Sequence, residues 1–259
     1  MTGSRPSRAG GDEPPSAGDP DRLAFASLVV RQPRRGYRFS IDSVLLADFA
    51  APLCGESVLD LGTGSGVVLL LLARLCPGMS RGVGVELQPE LLEFARANIE
   101  ANDLSVRLSA LPGDFRGTIP GAPAGSFDLV VSNPPYRPLG EGRRNPDSQK
   151  EIARHEVACT MADVFGAAAR FLSPRGRFAV LGLPRRLPEL FALGAASGLF
   201  AGRLRFVHPF PGRPANLVLV AGSRRRGGGP EVVPPLCVYE APGRYSPEAL
   251  AVFRGLLGK

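Results

Sequence analysis

Apolar and polar positions divide the chain into short apolar runs that alternate with longer segments of helical periodicity. Runs of four to eight residues rich in Val, Leu and Phe predict buried strands. These strands cover residues 58–61, 82–86, 106–111, 127–132 and 177–183. Apolar residues at every third or fourth position predict helices between them. These helices cover residues 67–75, 89–102, 157–172 and 187–196. Strands that alternate with helices predict a parallel sheet with helices on both faces.

The two ends of the chain depart from this alternation. Residues 44–50 predict a helix, for which Ser40 or Asp42 is the expected N-cap. Towards the other end, residues 203–207 and 216–221 form a strand pair, which brings the sheet to seven strands. A short strand at 236–240 and a helix at 247–257 follow. Residues 1–21 lack periodicity and predict a disordered tail, so residues 22–259 are expected to form a single domain.

A glycine-rich turn follows the first strand. Gly62, Gly64 and Gly66 stand between this strand and the next helix, where a ligand can approach the backbone closely. Glu86 ends the second strand about 20 residues further on, the position that hydrogen-bonds ribose hydroxyls in nucleotide-type folds. The pattern therefore predicts a nucleotide-like cofactor at this edge of the sheet.

The residues of the turn favour S-adenosylmethionine over a dinucleotide. Asp60 stands just before the glycines, where it would repel a pyrophosphate but attract a sulfonium and an ammonium. Gly66 follows Gly64 by two residues, whereas the dinucleotide fingerprint has three. We therefore place Asp60 near the ammonium group of the cofactor.

Asn133, Pro134, Pro135 and Tyr136 form a rigid loop after the fourth strand. Ligands of open α/β sheets bind at this edge. Proline fixes φ and removes backbone donors, so the Asn133 side chain and nearby carbonyls can face a substrate as acceptors. Tyr136 offers a ring for stacking. The loop suits a planar, conjugated NH2 group such as adenine N6, cytosine N4 or a glutamine amide. It also has no obvious role in hydride transfer, which again disfavours a dinucleotide.

Three further segments hold candidate site residues. Asp114 and Phe115 end the third strand, where they can accept from the cofactor adenine and lie against its ring; alternatively, Asp114 caps a turn. Arg154 and His155 end a long polar segment and are expected to face RNA or order the loop, with an ion pair to Glu156 as the alternative. Arg38 belongs to a group of four arginines near the N-terminus. This segment is expected either to have a cofactor or substrate role or to be an N-terminal cap packed on the domain.

Composition adds only broad limits. The formal charge of +7 suits a polyanionic partner, but nearly all cations are Arg in a chain rich in Ala, Gly and Pro, as GC-rich coding alone produces. The four cysteines are scattered, which argues against a zinc site and a disulfide framework and fits a reducing cytoplasm. No apolar run reaches membrane-spanning length and no signal peptide is evident. We expect no metal, no membrane partner and a monomer.

Taken together, these motifs resemble those of class I, Rossmann-like S-adenosylmethionine-dependent methyltransferases. Residues 36–47, the Ala-Arg-His-Glu segment and the C-terminal tyrosines Tyr239 and Tyr245 resemble the family that methylates N6 of the adenine beside the anticodon of a valine tRNA. This resemblance covers residues 22–259. Arg137 departs from it, since an aromatic residue is expected after the tyrosine.

The resemblance implies direct in-line methyl transfer to a tRNA amino group. Asn133 and the Pro134 carbonyl would accept from the target NH2, and Tyr136 would stack on the base. The implied cofactor residues are Asp60, Gly62, Thr63, Gly64, Gly66, Glu86, Leu87, Asp114, Phe115 and Asn133. The implied substrate residues are Tyr136, Arg38, Arg154 and His155.

Three other functions fit parts of the same pattern. A protein-glutamine methyltransferase, such as those acting on release factors, shares the Asn-Pro-Pro-Tyr chemistry. Members of that family usually carry a helical domain ahead of the sheet, whereas only 57 residues precede Val58 here. Methylation of another RNA or DNA amino group is the second alternative. A module that binds RNA or cofactor without turnover is the third, although both loops are intact.

Overall fold

The computed structural model describes residues 28–33, 40–134 and 159–257. The predictions for the N-terminal tail and for residues 135–158 lie outside this part of the chain. Within the described residues, no helix is long and apolar enough to cross a membrane.

Six helices are present in the described ranges. They are α1 (Ile41–Ala50), α2 (Val67–Leu75), α3 (Pro89–Ala101), α4 (Met161–Phe171), α5 (Leu187–Ala196) and α6 (Pro247–Leu257). Helix α1 begins at Ser40, whose hydroxyl accepts from the Asp42 backbone N–H, so Ser40 and not Asp42 is the N-cap. Helix α4 begins with a capping box between Thr160 and Asp163, four residues after the predicted start.

The central sheet of the described chain has nine strands. They are β1 (Ser57–Leu61), β2 (Arg81–Glu86), β3 (Leu108–Pro112), β4 (Phe127–Ser132), β5 (Leu172–Gly182), β6 (Phe200–His208), β7 (Leu217–Ser223), β8 (Glu231–Val232) and β9 (Leu236–Cys237). Their order is β3-β2-β1-β4-β5-β7-β6-β8, with β9 also paired to β6. A small second sheet pairs β10 (Tyr239–Ala241) with β11 (Arg244–Tyr245).

The predicted fold class is confirmed, and the strand count is extended by two. Strands β1 to β5 are parallel and β7 is antiparallel to its two neighbours. Strand β9 falls within the short strand predicted at 236–240, whereas β8, which was not predicted, has two residues, too few for a periodic signal in the sequence. Strand β5 starts five residues before its prediction because a bulge lets Leu172 pair with Phe127 across the Ser-Pro-Arg-Gly segment.

Strand order places a ligand-binding edge between β1 and β4. Asp60 on β1 pairs with Gly84 on β2 and with Val131 on β4, so the carboxyl ends of all three strands lie together. From β1 the chain continues to β2, which lies on one side of β1, whereas β4 lies on the other side of β1. Such a reversal of strand order opens a crevice at the carboxyl edge of the sheet.

Apolar side chains pack against both faces of the sheet. Helices α1, α2, α3 and α6 belong to one cluster, and helices α4 and α5 belong to the other. Strands β1, β4, β5 and β7 contribute alternate side chains to both clusters. The strands β1, β4 and β7 are therefore covered on both faces, which explains their unbroken apolar runs.

Asn98 of α3 and Asn102, which caps the end of α3, form hydrogen bonds with the described N-terminal segment, residues 28–33. Asn102 exchanges hydrogen bonds with the backbone of Val29, and Asn98 does the same with Arg31. Asn98 is fully buried and its amide also donates to the Ser65 carbonyl in the glycine turn. The described part of the segment is therefore tied to the turn through one side chain.

The scattered cysteines argued against a disulfide framework, and the structure pairs two of them. Cys54 and Cys76 form a disulfide with a Cα–Cα distance of 6.4 Å. Cys54 follows the turn at the end of α1, and Cys76 caps α2. The two helices pack against each other, so their ends meet although the cysteines are 22 positions apart. Spacing alone could not reveal this contact.

Candidate cofactor and acceptor site

The glycine turn forms the floor of the crevice. Gly62, Gly64 and Gly66 all have positive φ, between 58° and 83°, which L-residues with a side chain rarely adopt. The Gly62 and Thr63 backbone N–H groups both donate to the Val85 carbonyl, so the turn is held against β2. This leaves a backbone surface without side chains beside the start of α2.

Asp60 is a buried carboxylate at the start of the turn. Asp60 is only 1% exposed, and its Oδ2 accepts a hydrogen bond from Thr63 Oγ1 at 2.7 Å. Burial raises the pKa of Asp60 to about 7, against the lowering effect of the Thr63 hydroxyl, and the nearby Glu86 adds to the rise. A cationic ligand group would stabilise the ionised form of this carboxyl.

Glu86 ties the glycine turn to the start of α3. Its Oε2 accepts from the Gly64 backbone N–H at 2.8 Å, and its Oε1 accepts from the Gln88 backbone N–H at 2.9 Å. The side chain is buried, at 6% exposure of the residue. Each carboxylate oxygen still has a further lone pair, so ribose hydroxyls can also donate to Glu86.

Asn133 lies directly after β4 and faces the same crevice. Ser132 Oγ donates to the Leu61 carbonyl at 2.8 Å, which fixes the end of β4 beside the end of β1. Asn133 Nδ2 donates to Ser43 Oγ on α1 at 3.3 Å. Its Oδ1 is buried and has no hydrogen-bond partner in the described structure. Pro134, which follows, is buried.

These elements meet in one cleft. The cleft is lined by Ser43, Asp60, Gly62, Thr63, Ser65, Val67, Val68 and Asn133. It thus joins a carboxylate, a glycine backbone surface and an unpartnered amide oxygen from three different elements. The structure brings together Asp60, the glycine turn and Asn133, which the sequence analysis assigned to one site.

Asp114 and Phe115 lie in the turn after β3. Arg116 holds the Asp114 carboxylate, because its backbone N–H and Nε both donate to Oδ1 at 2.9 Å. These hydrogen bonds hold the pKa of Asp114 below its usual value. Arg170 of α4 donates to the Phe115 carbonyl, and a Cβ at Gly62 would lie 4.0 Å from the Phe115 ring. Phe115 therefore adjoins the glycine turn, as its predicted role requires.

The other assigned residues fall into two groups. Leu87 is 51% exposed after β2, which leaves an apolar side chain open at the carboxyl edge. Pro135, Tyr136, Arg38, Arg154 and His155 lie outside the described residues, so their roles stay predictions. Among the residues that are described, no group of three or more His, Cys, Asp or Glu side chains is placed to hold a metal ion.

Several residues of this site were not predicted from the sequence. Three of them, Ser65, Val67 and Val68, adjoin the predicted glycine turn, and three others come from different elements. Ser43 lines the cleft from α1, Asn98 holds the glycine turn, and Gly84 lies beside Asp60 on β2. Ser43 and Asn98 could be suspected only as polar residues on the apolar faces of their helices. Gly84 alternates with valines in a buried strand, and this pattern indicates a close contact.

Gly84→Ala is expected to disturb the cofactor pocket. An added Cβ would lie 2.7 Å from both Oγ1 and Cγ2 of Thr63, so Thr63 must shift, which disturbs its hydrogen bond to Asp60. We expect weaker cofactor binding, measured by isothermal titration calorimetry, together with a lower melting temperature. Gly82→Ala is the matched control, since its Cβ would meet only flexible ends of Leu108, Leu69 and Met79. Equal effects of both changes on cofactor binding would contradict this assignment.

Comparison with known protein families places the chain among methyltransferases. A family model described as "Methyltransferase domain" matches residues 54–193, which includes the glycine turn and the cleft. A tRNA1(Val) (adenine(37)-N6)-methyltransferase of Tolumonas auensis is 31% identical over 230 residues, covering 89% of this chain and 94% of its own length. The protein of the same name from Porphyromonas gingivalis is 32% identical over 239 residues, covering 88% and 91%.

Solved structures agree on the fold. A protein from Agrobacterium tumefaciens described as a "predicted O-methyltransferase" has a TM-score of 0.65 at 22% identity, covering 84% of this chain and 98% of its own. Geranyl diphosphate C-methyltransferase from Streptomyces coelicolor, solved with S-adenosyl-L-homocysteine, has a TM-score of 0.53 at 15% identity, covering 70% and 77%. At these identities the likeness concerns the fold alone.

Proposed function

Because the chain belongs to the tRNA1(Val) (adenine(37)-N6)-methyltransferase family, we propose that it transfers a methyl group from S-adenosylmethionine to N6 of an adenine in tRNA, next to the anticodon. The observation that carries this proposal is the unpartnered, buried Oδ1 of Asn133 in the cleft that also contains Asp60. A buried acceptor without a partner costs free energy, so a ligand with an NH2 group is the natural partner for it.

The described residues fit S-adenosylmethionine. Asp60 offers a buried carboxylate to a cationic group, and the glycine turn offers a backbone surface that a side chain would obstruct. We assign Glu86 to the ribose hydroxyls, and Asp114, with Phe115, to the adenine. When bound, the cofactor supplies an electrophilic methyl group.

The acceptor loop acts on the target amino group. The conjugated N6 lone pair of adenine is a weak nucleophile until it leaves conjugation with the ring. Asn133 Oδ1 and the Pro134 carbonyl accept from the two N–H bonds, which draws the lone pair out of the ring plane. Tyr136 stacks on the base, a contact typically worth ~1–3 kcal/mol. That contribution offsets much of the unstacking of the adenine, which costs a few kcal/mol.

Most of the acceleration of methyl transfer then comes from the alignment of the target amino group with the methyl group of the cofactor. Well-oriented reactants lower a barrier by up to ~7–11 kcal/mol. No general base is needed during the transfer, since the product ammonium loses its proton readily to water. In this scheme Arg38, Arg154 and His155 contact the RNA.

Three further assignments accompany this function. Residues 22–259 form one methyltransferase domain, which the family match at 54–193 and the continuous sheet support. The protein acts as a monomer without a metal ion. A tRNA substrate argues for the cytoplasm. The cysteines no longer add to that argument, since Cys54 and Cys76 are paired.

Nucleoside analysis after methyl transfer tests the proposal. The protein is incubated with labelled S-adenosylmethionine and unmodified bulk tRNA, and the digested RNA is separated by chromatography. N6-methyladenosine in the product is the expected result. Label in a release factor, with none in RNA, would assign the substrate to the protein-glutamine alternative and overturn the tRNA proposal.

Salt dependence separates RNA from protein substrates independently. RNA binding releases counterions, so the affinity for tRNA should fall steeply as the salt concentration rises. We expect a linear decrease of the logarithm of the binding constant with the logarithm of salt, measured by fluorescence anisotropy with labelled tRNA. A flat response would contradict an RNA substrate.

A further inference from the structure

Ser43 is a polar residue where α1 otherwise presents apolar side chains to the core. It is only 2% exposed, and its neighbours Val44, Leu45, Leu46 and Ala47 are all buried. Its hydroxyl oxygen lies 3.3 Å from Asn133 Nδ2 and lines the cleft. A hydroxyl at a buried helix position requires a polar partner, and Asn133 provides one.

This contact holds the Asn133 amide against α1 in the orientation that the structure shows. An asparagine side chain presents an oxygen on one side and an NH2 group on the other, and the two orientations have almost the same shape. Only the oxygen can accept from a target NH2, while the amide NH2 would meet it donor to donor. With Ser43 Oγ accepting from Nδ2, Oδ1 is left facing away from α1 without a partner.

Helix α1 is a firm support for this contact. Seven of its ten residues are buried, and Ser40 caps its first turn. The Ser43 backbone N–H donates to the Ser40 carbonyl at 3.1 Å, so Ser43 lies within the capped turn. The hydroxyl is therefore held by a packed helix, while Asn133 is held by the end of β4.

We propose that Ser43 is a positioning residue for methyl transfer: its hydroxyl fixes the Asn133 amide so that Oδ1 faces the target amino group. This inference rests on the proposed function and adds a residue from outside the glycine turn and the Asn-Pro-Pro-Tyr loop. Ser43 does not contact the reacting atoms in this scheme. It acts through Asn133, before the base arrives, by anchoring the amide to α1.

Ser43→Thr and Ser43→Val form a matched pair for the test. The two side chains have nearly the same shape, but only threonine keeps the hydroxyl. The rate of a single turnover is measured with labelled S-adenosylmethionine at saturation, so that product release does not hide the transfer step. We expect Ser43→Thr to stay close to its parent and Ser43→Val to be slower by about 3–10-fold, the range that one net hydrogen bond supplies. The dissociation constant for the cofactor should change by less than about twofold in both.

An alanine at position 133 supplies a second readout. Asn133→Ala leaves no amide for the hydroxyl at position 43 to hold. In that background the difference in single-turnover rate between Thr and Val at position 43 should disappear, because the effect of Ser43 passes through the amide. If the rate in that background is too low to measure, the comparison in the natural background decides alone.

Ser246→Ala controls for the general loss of a buried hydroxyl. Ser246 is 5% exposed and caps α6, with its hydroxyl donating to the Cys237 carbonyl and accepting from the Ala249 N–H. Its removal should lower the melting temperature and leave the transfer rate unchanged. Equal single-turnover rates of the Thr and Val variants, while the unaltered protein makes N6-methyladenosine, would overturn the role of Ser43 alone. Absence of N6-methyladenosine from the unaltered protein would instead overturn the proposed function.

Discussion

Asn133→Ala is expected to lower turnover by at least ~10²–10³-fold, the usual cost of removing one preorganised polar group from an active site. Asn133 Oδ1 is buried in the cleft and has no hydrogen-bond partner in the described structure, so it is available to accept from the target NH2. Because this oxygen is assigned to the target NH2, cofactor affinity should hardly change. The loss should therefore appear in kcat, with little effect on cofactor binding.

The measurement combines steady-state methylation of tRNA with calorimetric titration of S-adenosylmethionine. Asn216→Ala serves as a control, because Asn216 is exposed and alanine keeps the backbone N–H that donates to the Val207 carbonyl. This control should retain the activity of the unaltered protein. Near-normal turnover of Asn133→Ala would contradict the role of Asn133 as the acceptor of the target amino group.

Asp60→Asn is expected to weaken cofactor binding and to stabilise the cofactor-free protein at the same time. A hydrogen bond to a charged group is worth ~1.5–3 kcal/mol, so its loss corresponds to roughly 10–100-fold in affinity for S-adenosylmethionine. Without cofactor, the ionised carboxylate is buried at 1% exposure and destabilises the fold. Asparagine retains an oxygen for the Thr63 hydroxyl and carries no charge.

The pH dependence follows from the raised pKa of Asp60. Since its folded-state pKa is about 7, above the ordinary value of 3.8, the stabilising contribution of Asp60 to the cofactor-free protein is fully present below about pH 4. This contribution is lost as the pH rises through 7. The shift corresponds to a few kcal/mol, and each kcal/mol moves the melting temperature of a domain of this size by about 2–4 °C.

Melting curves and calorimetry between pH 5 and 8.5 check both effects. The Asp60→Asn variant should melt several degrees higher than the unaltered protein at pH 8, and this excess should shrink towards pH 5. The affinity of the unaltered protein for the cofactor should decrease as the pH is lowered from 7, because Asp60 becomes protonated. The affinity of the variant should not change over the same pH range. A variant that binds cofactor normally would contradict the assignment of Asp60.

Asp128→Asn is the matched control for Asp60→Asn. Asp128 lies near the start of β4, and its Oδ2 accepts from the backbone N–H groups of Glu56 and Ser57 and from the Ser57 hydroxyl. The amide at position 128 should lower stability, because it weakens these bonds, and should leave cofactor affinity unchanged. The two substitutions are thus expected to change the melting temperature in opposite directions, upwards for Asp60→Asn and downwards for Asp128→Asn.

The sequence by itself determined the fold class and the outline of the site. Apolar runs stopped by glycine or proline placed β1, β2 and β4, and the bounds of α2, α5 and α6 agree with their prediction. Local signals suffice here because a strand covered on both faces must be apolar throughout, and a tight turn beside a ligand requires glycine. Asp60 and Asn133 were recognised because each stands where such a strand ends.

Tertiary structure alone decided which side chains meet across distant elements. Ser43 and Asn133 are 90 positions apart, and Asn98 and Arg31 are 67 apart, yet both pairs are hydrogen-bonded. The Cys54–Cys76 pair and the two-residue strand β8 depend equally on packing. The orientation of an amide, the burial that raises the pKa of Asp60 and the pairing of two cysteines are set by neighbours that no local pattern specifies.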